Sequence, residues 1–255
     1  MCIEGEDTKI VASPRTTHTL AFKFFKDGRK ASDQTYFYRT KNIVEMHLPH
    51  AYLMGINDQI LCEVVKGHYH IIFVGLSPLG LYHLIKRETY DLTNAATPLE
   101  YLLPSISQLM EQLIEIEGFE KRIELIEPFL IKAFTQNKYT AGDMDFALDI
   151  INEKKGNIAI KQIAESCRIS ERTLERKFTE QLGFSPKEYV RLIRFKNVMH
   201  YLMLQPKMSW AELAYYFGYA DQSHLHKDFQ YFAATSPERF MQNDFELEKV
   251  ISRVV

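Results

Sequence analysis

Along residues 157–240 the apolar positions recur twice in the same order. Ile163-Ala164 and Cys167 return as Leu213-Ala214 and Phe217, 50 residues on, and Leu174, Phe178, Ser185-Pro186 and Tyr189 return as Leu225, Phe229, Ser236-Pro237 and Phe240, 51 residues on. The second copy therefore carries one extra residue in its central turn. In the first copy Ile160, Ile163, Ala164 and Cys167 follow the i, i+3, i+4, i+7 spacing of a helix face. Ser170 stands where an N-cap opens a second helix, which buries Leu174 and Phe178 and stops at Gly183. In the second copy Ser209 and Glu212 form a capping box, Gly218 closes the first helix, and Asp221 caps a helix that buries Leu225 and Phe229. Each copy thus predicts helix, turn, helix.

With those apolar residues turned inward, Arg172, Glu175, Arg176 and Thr179 share the opposite face of the first copy's second helix. The offset of 51 carries them onto Ser223, His226, Lys227 and Gln230. Ser170 and Gln222 lie at the starts of the two helices and complete the set. Both faces are polar and rich in hydrogen-bonding groups, as reading base edges in a major groove requires. A merely solvated face would explain one copy, but two in register favour recognition. Between the copies, Phe184-Ser185-Pro186-Lys187-Glu188-Tyr189 predicts a capped start with Pro at the first helical position and a Phe/Tyr staple. The helix that follows runs to about Leu204, roughly 28 Å at 1.5 Å per residue. Major-groove faces on one side of a duplex repeat every ~34 Å, so such a spacer would set the two reading helices in successive grooves.

These residues resemble the DNA-binding domain of the AraC/XylS family of bacterial transcription regulators. The resemblance rests on Ile163-Ala164, residues 170–178, Gly183-Phe184-Ser185-Pro186, Arg194, Gly218-Tyr219, Asp221, Ser223, Phe229, Ser236-Pro237 and Phe240, and covers about 100 of the 255 residues. It implies a bacterial cytoplasmic regulator that binds double-stranded DNA and contacts RNA polymerase if it activates. The chain departs from the family pattern at Leu225, Lys227, Ala234 and Met241, where Phe, Arg, Gly and Arg are usual. Lys227 matters most, because an ammonium cannot fork onto guanine as a guanidinium does.

The N-terminal part reads differently. Runs at 19–25, 35–39, 43–48, 60–66 and 69–74 are rich in β-branched and aromatic residues and predict a small antiparallel sheet or cupin-like sandwich. Helical spacing follows: a short helix at 79–88, a capping box at Thr97-Pro98-Leu99-Glu100, a face of Ile106, Leu109, Met110 and Leu113, and a helix at 119–134 that Pro128 should kink or divide. Residues 136–142 form the expected linker between an α+β sensing or dimerisation domain (1–135) and an all-α double helix-turn-helix domain (143–255). In that second domain, Asp143 should cap a first helix carrying Phe146, Ala147 and Ile150. Strands followed by helices also resemble the effector or dimerisation portion of such regulators. More narrowly, 70–80 with Asp91-Leu92-Thr93-Asn94 resembles an uncharacterised N-terminal domain found on some of them. A small-molecule effector and a homodimer are the partners that portion implies.

Composition adjusts this picture in few places. The chain has a formal net charge of -2, yet 153–240 holds 14 Lys or Arg against 10 Asp or Glu. Lys187, Arg191, Arg194 and Lys196 concentrate the surplus on the spacer helix and are the phosphate-contact candidates. Cys2, Cys62 and Cys167 are far apart, which predicts no disulfide framework or zinc site and suits a reducing cytosol. Glu4, Glu6 and Asp7 exclude a signal peptide, and the longest apolar tract is too short to span a bilayer. His68-Tyr69-His70 has the HxH form of a cupin metal ligand pair, but the Glu that should follow is missing, so no metal or other cofactor is expected. Among the aromatics, Trp210, Tyr215, Tyr216, Phe217 and Tyr219 are expected to pack within the second copy. Enzyme signatures (GxSxG, P-loop, GxGxxG, HExxH) are absent, and no catalytic residues are expected. The rival reading is a cupin-like small-molecule or metal-binding protein whose helical tail makes protein contacts.

Overall fold

The computed structural model of the chain describes residues 2–12, 14–25, 35–39, 48–59, 61–136, 141–204 and 208–242. Its N-terminal half is built on a six-stranded antiparallel sheet: β1 (Cys2–Ala12), β2 (Thr19–Phe25), β3 (Thr35–Arg39), β4 (Ala51–Met54), β5 (Leu61–Gly75) and β6 (Ala96–Pro98). β5 is the spine. β1 lies along one side of it, while β3 and β2 follow each other along the other, on residues 61–65 and 69–75. β4 and β6 extend the sheet beyond β2.

β2 and β3 occupy the bounds their patterns predict, whereas the run at 43–47 lies outside the described residues. The two strands expected at 60–66 and 69–74 are one. Gly67, read as a separator, has φ +81 and sits opposite a register shift between Glu6 and Thr8, so it makes a bulge that lets β5 continue. The capping box at 97–100 is also corrected: Ala96–Pro98 pairs with β4 as an edge strand, where Pro is tolerated, and a single 3-10 turn, Leu99–Tyr101, follows.

Side chains alternate across β2. Leu20, Phe22 and Phe24 join Leu53, Ile72 and the helices α1 (Gly80–Ile85), α2 (Ile106–Glu115) and α3 (Phe119–Thr135) in one core. Ala21 faces Tyr52, Met54, Ile71 and Phe73 in another. The four residues predicted for the α2 face are all buried. α3 runs through Pro128 as one helix. Lys23 is fully buried and pairs with the buried Glu63 carboxylate, to which the Tyr52 hydroxyl donates at 2.9 Å to each oxygen.

The C-terminal half contains α4 (Asp143–Glu153), α5 (Ile160–Ser166), α6 (Glu171–Leu182), α7 (Pro186–Leu204), α8 (Trp210–Tyr216), α9 (Gln222–Phe232) and α10 (Pro237–Gln242). On α4 the inward residues are Met144, Ala147, Leu148 and Ile151, while Phe146 is half exposed, so the buried stripe is rotated from the one predicted. Gly142 rather than Asp143 is its N-cap; the Gly142 N–H donates to Asp145 at 2.8 Å. Ile56 and Leu79, from the N-terminal half, belong to the apolar core of these helices. The two halves therefore share a core.

Candidate nucleic-acid interface

The sequence repeat is a repeat in space. Ser170 accepts from Thr173 N at 3.1 Å to cap α6, and Asp221 accepts from His224 N at 2.7 Å to cap α9, 51 residues later. In the central turns Ile169 N donates to Ala164 O at 3.0 Å, and Tyr219 N to Ala214 O at 2.9 Å. Phe178 meets Tyr189 edge-on at 5.7 Å, and Phe229 meets Phe240 edge-on at 5.5 Å. Even the left-handed turn residue recurs: Arg168 at φ +56 in the first copy, Gly218 at φ +71 in the second. α7 starts with the predicted box, Ser185 N donating to Glu188 at 2.9 Å and Glu188 N to Ser185 at 3.2 Å, and has 19 residues.

On α6 the side chains of Arg172, Glu175 and Arg176 are exposed, and Thr179 is half-buried. Ser170 is exposed but occupied as the cap. The Arg176 guanidinium rests on Glu180, with Nη1 at 2.9 and 2.8 Å from its two oxygens. The Thr179 hydroxyl donates to the Glu175 carbonyl at 3.0 Å. On α9 Gln222, Ser223, Lys227 and Gln230 are exposed and His226 is half-buried. His226 lies 3.7 Å from Glu238, 3.3 Å from the Gln222 amide and edge-on to Trp210 at 6.3 Å. His226, Lys227 and Gln230, with Ser236 and Pro237, line an open cleft of about 290 Å³.

The four phosphate-contact candidates separate. Lys187 is exposed. Arg191 instead donates to the buried Asp228 at 2.6 Å and stacks over Tyr231, 4.5 Å from the ring centre. Arg194 donates twice to the Gly156 carbonyl, at 3.0 and 2.8 Å. Lys196 donates to Thr16 of the N-terminal half at 3.0 Å, and burial, with Arg15 nearby, pulls its pKa down to about 8. The basic stripe read on α7 is thus largely an inward one: amphipathic periodicity does not reveal which cations another element will cover. A related pairing escaped the sequence altogether. Lys177 is held by Asp143 of α4 at 2.6 Å, and its repeat equivalent Asp228 by Arg191 of α7, the same bridge with its charges exchanged.

Other expectations resolve as follows. Phe217 and Tyr219 are buried, but Tyr215 and Tyr216 are exposed on the outer side of α8, since Leu213, Ala214 and Phe217 take the inner side. Cys167 packs against the helical core with Sγ 3.6 Å from the Asp143 carbonyl, and burial pushes its thiol pKa up. Among the described residues no group of three or more His, Cys, Asp or Glu is placed to hold a metal ion, and no helix is long and apolar enough to cross a membrane.

Residues 163–243 match a family described as "Helix-turn-helix domain". The chain is 26% identical over 146 residues to the Msm operon regulatory protein of Streptococcus mutans, an alignment that takes 56% of this chain and 52% of that one. The chain spans about half the length of this curated relative. In fold it is similar to ToxT from Vibrio cholerae bound to (E)-4-(8-methylnaphthalen-1-yl)but-3-enoic acid, with a TM-score of 0.50 at 14% identity over 94% of this chain and 97% of that one. A transcriptional regulator from Chromobacterium violaceum, described by its AraC-type DNA-binding domain, aligns at 20% identity over 39% of this chain and 89% of its own, with a TM-score of 0.36.

Proposed function

We infer that this chain, whose C-terminal part is a helix-turn-helix domain of the AraC type, is a sequence-specific DNA-binding transcription regulator that sets α6 and α9 in successive major grooves. The observation that carries this is the register of the two units: two capped helices with equivalent polar faces, joined by a 19-residue helix. At 1.5 Å per residue that helix is ~28 Å long, close to the ~34 Å groove repeat. Arg172, Glu175, Arg176, Thr179, Ser223, His226, Lys227 and Gln230 would read base edges, with Ser170 and Gln222 at the helix starts and Lys187 on phosphate.

The division into an N-terminal domain (1–135), a connector (136–142) and a DNA-binding domain (143–255) belongs to the same reading, with the N-terminal domain sensing an effector or pairing two copies. An acidic small molecule suits it best. Arg15 feels both the Glu63 carboxylate and the Lys196 ammonium, and Lys23 pairs with that same carboxylate, so three buried cations gather near one carboxylate, and burial, which lowers the pKa of each, penalises the uncompensated positive charge. An anion would balance it. The protein's role is binding rather than catalysis, in the bacterial cytoplasm, with RNA polymerase as a partner if it activates. Selection of bound duplexes from random DNA by the full chain tests the reading. The expected product is a motif of two half-sites about one helical turn apart; absence of any enriched sequence would refute it.

A further inference from the structure

The N-terminal half touches both candidate reading helices at the same repeat position. Glu180 and Tyr231 are 51 residues apart, each one turn beyond the exposed cation of its helix, Arg176 or Lys227. The Glu180 carbonyl accepts from Thr89 N at 3.0 Å. The Tyr231 hydroxyl donates to Asp58 at 2.6 Å. A third contact reaches the helix between them, where Lys196 donates to Thr16 at 3.0 Å.

These three grips are tied to one another inside the N-terminal half. Arg15 and Asn57 exchange backbone bonds at 2.9 and 3.2 Å, which fixes the Thr16 segment to the Asp58 segment. Asn94 accepts from Asp58 N at 3.0 Å and donates its own N–H to Ile56 O at 2.7 Å, which fixes the Asp58 segment to residues 89–94. The fit is close at both ends. A Cβ on Gly55 would fall 1.8 Å from the Leu92 carbonyl oxygen, and one on Gly183, at the end of α6, would fall 2.1 Å from the Thr93 methyl. The Tyr231 ring is also clamped under the Arg191 guanidinium, which holds the buried Asp228. A displacement of Asp58 is therefore passed to α7 and α9 together.

We propose that these stapled segments (15–16, 56–58 and 89–94) act as a gauge: they hold α6 and α9 at one separation and rotation, and so set which half-site spacing the protein accepts. Asp58 and Tyr231 are positioning residues in this scheme, outside the base-reading faces. The proposal rests on the DNA-binding reading above. It also gives the N-terminal half a means of control, since an occupant that shifts one tied segment alters the placement of both helices.

The experiment uses the full chain and duplexes carrying the selected motif with its half-sites at the selected spacing, one base pair closer and one base pair further apart. Tyr231→Phe deletes the hydroxyl and keeps the ring; Asp58→Asn keeps an acceptor oxygen for it. Losing one hydrogen bond to a charged acceptor corresponds to a change of roughly tenfold in an equilibrium constant. The wild type should prefer its spacing over either neighbour by about tenfold or more, and Tyr231→Phe should compress that preference severalfold while lowering affinity at the preferred spacing much less. Asp58→Asn, which keeps an acceptor but removes its charge, should fall between the wild type and Tyr231→Phe. An unchanged profile in Tyr231→Phe, or an equal loss at all three spacings, would overturn the gauge while leaving DNA binding intact. If the wild type enriches no motif, the DNA-binding reading fails and the gauge with it.

Discussion

Arg176 and Lys227 occupy equivalent places, yet they differ in what they must give up to meet DNA. The Arg176 guanidinium already rests one nitrogen, Nη1, on Glu180 across one helical turn, and its side chain is more than half exposed. An exposed pair of this kind is worth ~0.3–0.5 kcal/mol, whereas a bidentate contact to guanine discriminates by ~1–3 kcal/mol. Exchange of partners is therefore favourable. Arg176→Ala should cost ~1–3 kcal/mol on the selected site and relax preference at one base pair, while Lys227→Ala should cost less, since an ammonium offers a single point of contact, and its loss weakens all sequences about equally and flattens the salt slope by ~1 if it reaches phosphate instead of a base edge. Isotherms on selected and scrambled duplexes at two salt concentrations decide both; an unchanged specific-to-non-specific ratio in Arg176→Ala would remove the proposed reading face. Lys196 makes a different residue-scale prediction. Burial lowers its pKa from 10.5 to about 8, so between those values the unfolded chain holds the proton that the folded chain has released, and stability rises with pH. Lys196→Met should lose that rise. Urea midpoints of both proteins at intervals from pH 7.5 to 9.5 measure it, and parallel curves would show that the amine is not buried as described.

At the scale of the element, the two helix-turn-helix units solve the same turn with different residues. The first places Arg168 at φ +56 and the second Gly218 at φ +71. A left-handed conformation costs a non-glycine residue ~1–2 kcal/mol, so the first turn is strained where the second is not. The second has its own constraint, since a Cβ on Gly218 would lie 2.2 Å from the Asn157 side chain. Gly218→Ala should accordingly destabilise the fold by more than the ~1 kcal/mol of backbone strain alone, and Arg168→Gly should change stability little, as relief of strain is offset by greater unfolded-chain freedom. Denaturant midpoints of the two variants test the asymmetry; equal effects would contradict it. The caps of α6 and α9 carry no such asymmetry, Ser170 and Asp221 each meeting the N3 amide, but the first helices do: Ser209 caps α8, whereas α5 starts at Ala159, which has no side-chain oxygen to cap it.

On the scale of the whole molecule, the reading of 143–255 as a self-sufficient domain meets a shared core. Ile56 and Leu79 pack into the C-terminal cluster, and the N-terminal half also supplies Asp58, Thr89 and Thr16 to α9, α6 and α7. A fragment of residues 142–255 keeps the cores of both helix-turn-helix units around α7 and should fold and bind the selected motif. Exposing the sites of two buried aliphatic side chains should leave it less stable than the intact chain, because each is worth ~1.5–3 kcal/mol of burial. Thermal unfolding and binding isotherms of the purified fragment give the comparison. A soluble helical fragment with no DNA preference would mean that the reading surface needs the N-terminal half to exist at all.

The sequence by itself determined the repeat, its caps and its polar faces, because those are set by local periodicity and by side chains bonding amides three residues away. Ser170, Asp221 and Gly183 do in space what their spacing says. β2, β3 and α2 were legible for the same reason. β4 was not: its four residues are buried without alternation. Nor was the continuity of β5, since a glycine that bulges and a glycine that ends a strand read alike. Tertiary structure alone decided the fate of the charges. Arg191, Arg194 and Lys196 lie on the spacer helix much as Lys187 does, and what turns them inward is a carboxylate 37 residues away, a carbonyl 38 away and a hydroxyl 180 away. Tertiary structure likewise brought Asp58 to Tyr231 and Thr89 to Glu180. Such contacts join segments whose separation along the chain has no period, and only the closing of the core fixes which of them meet.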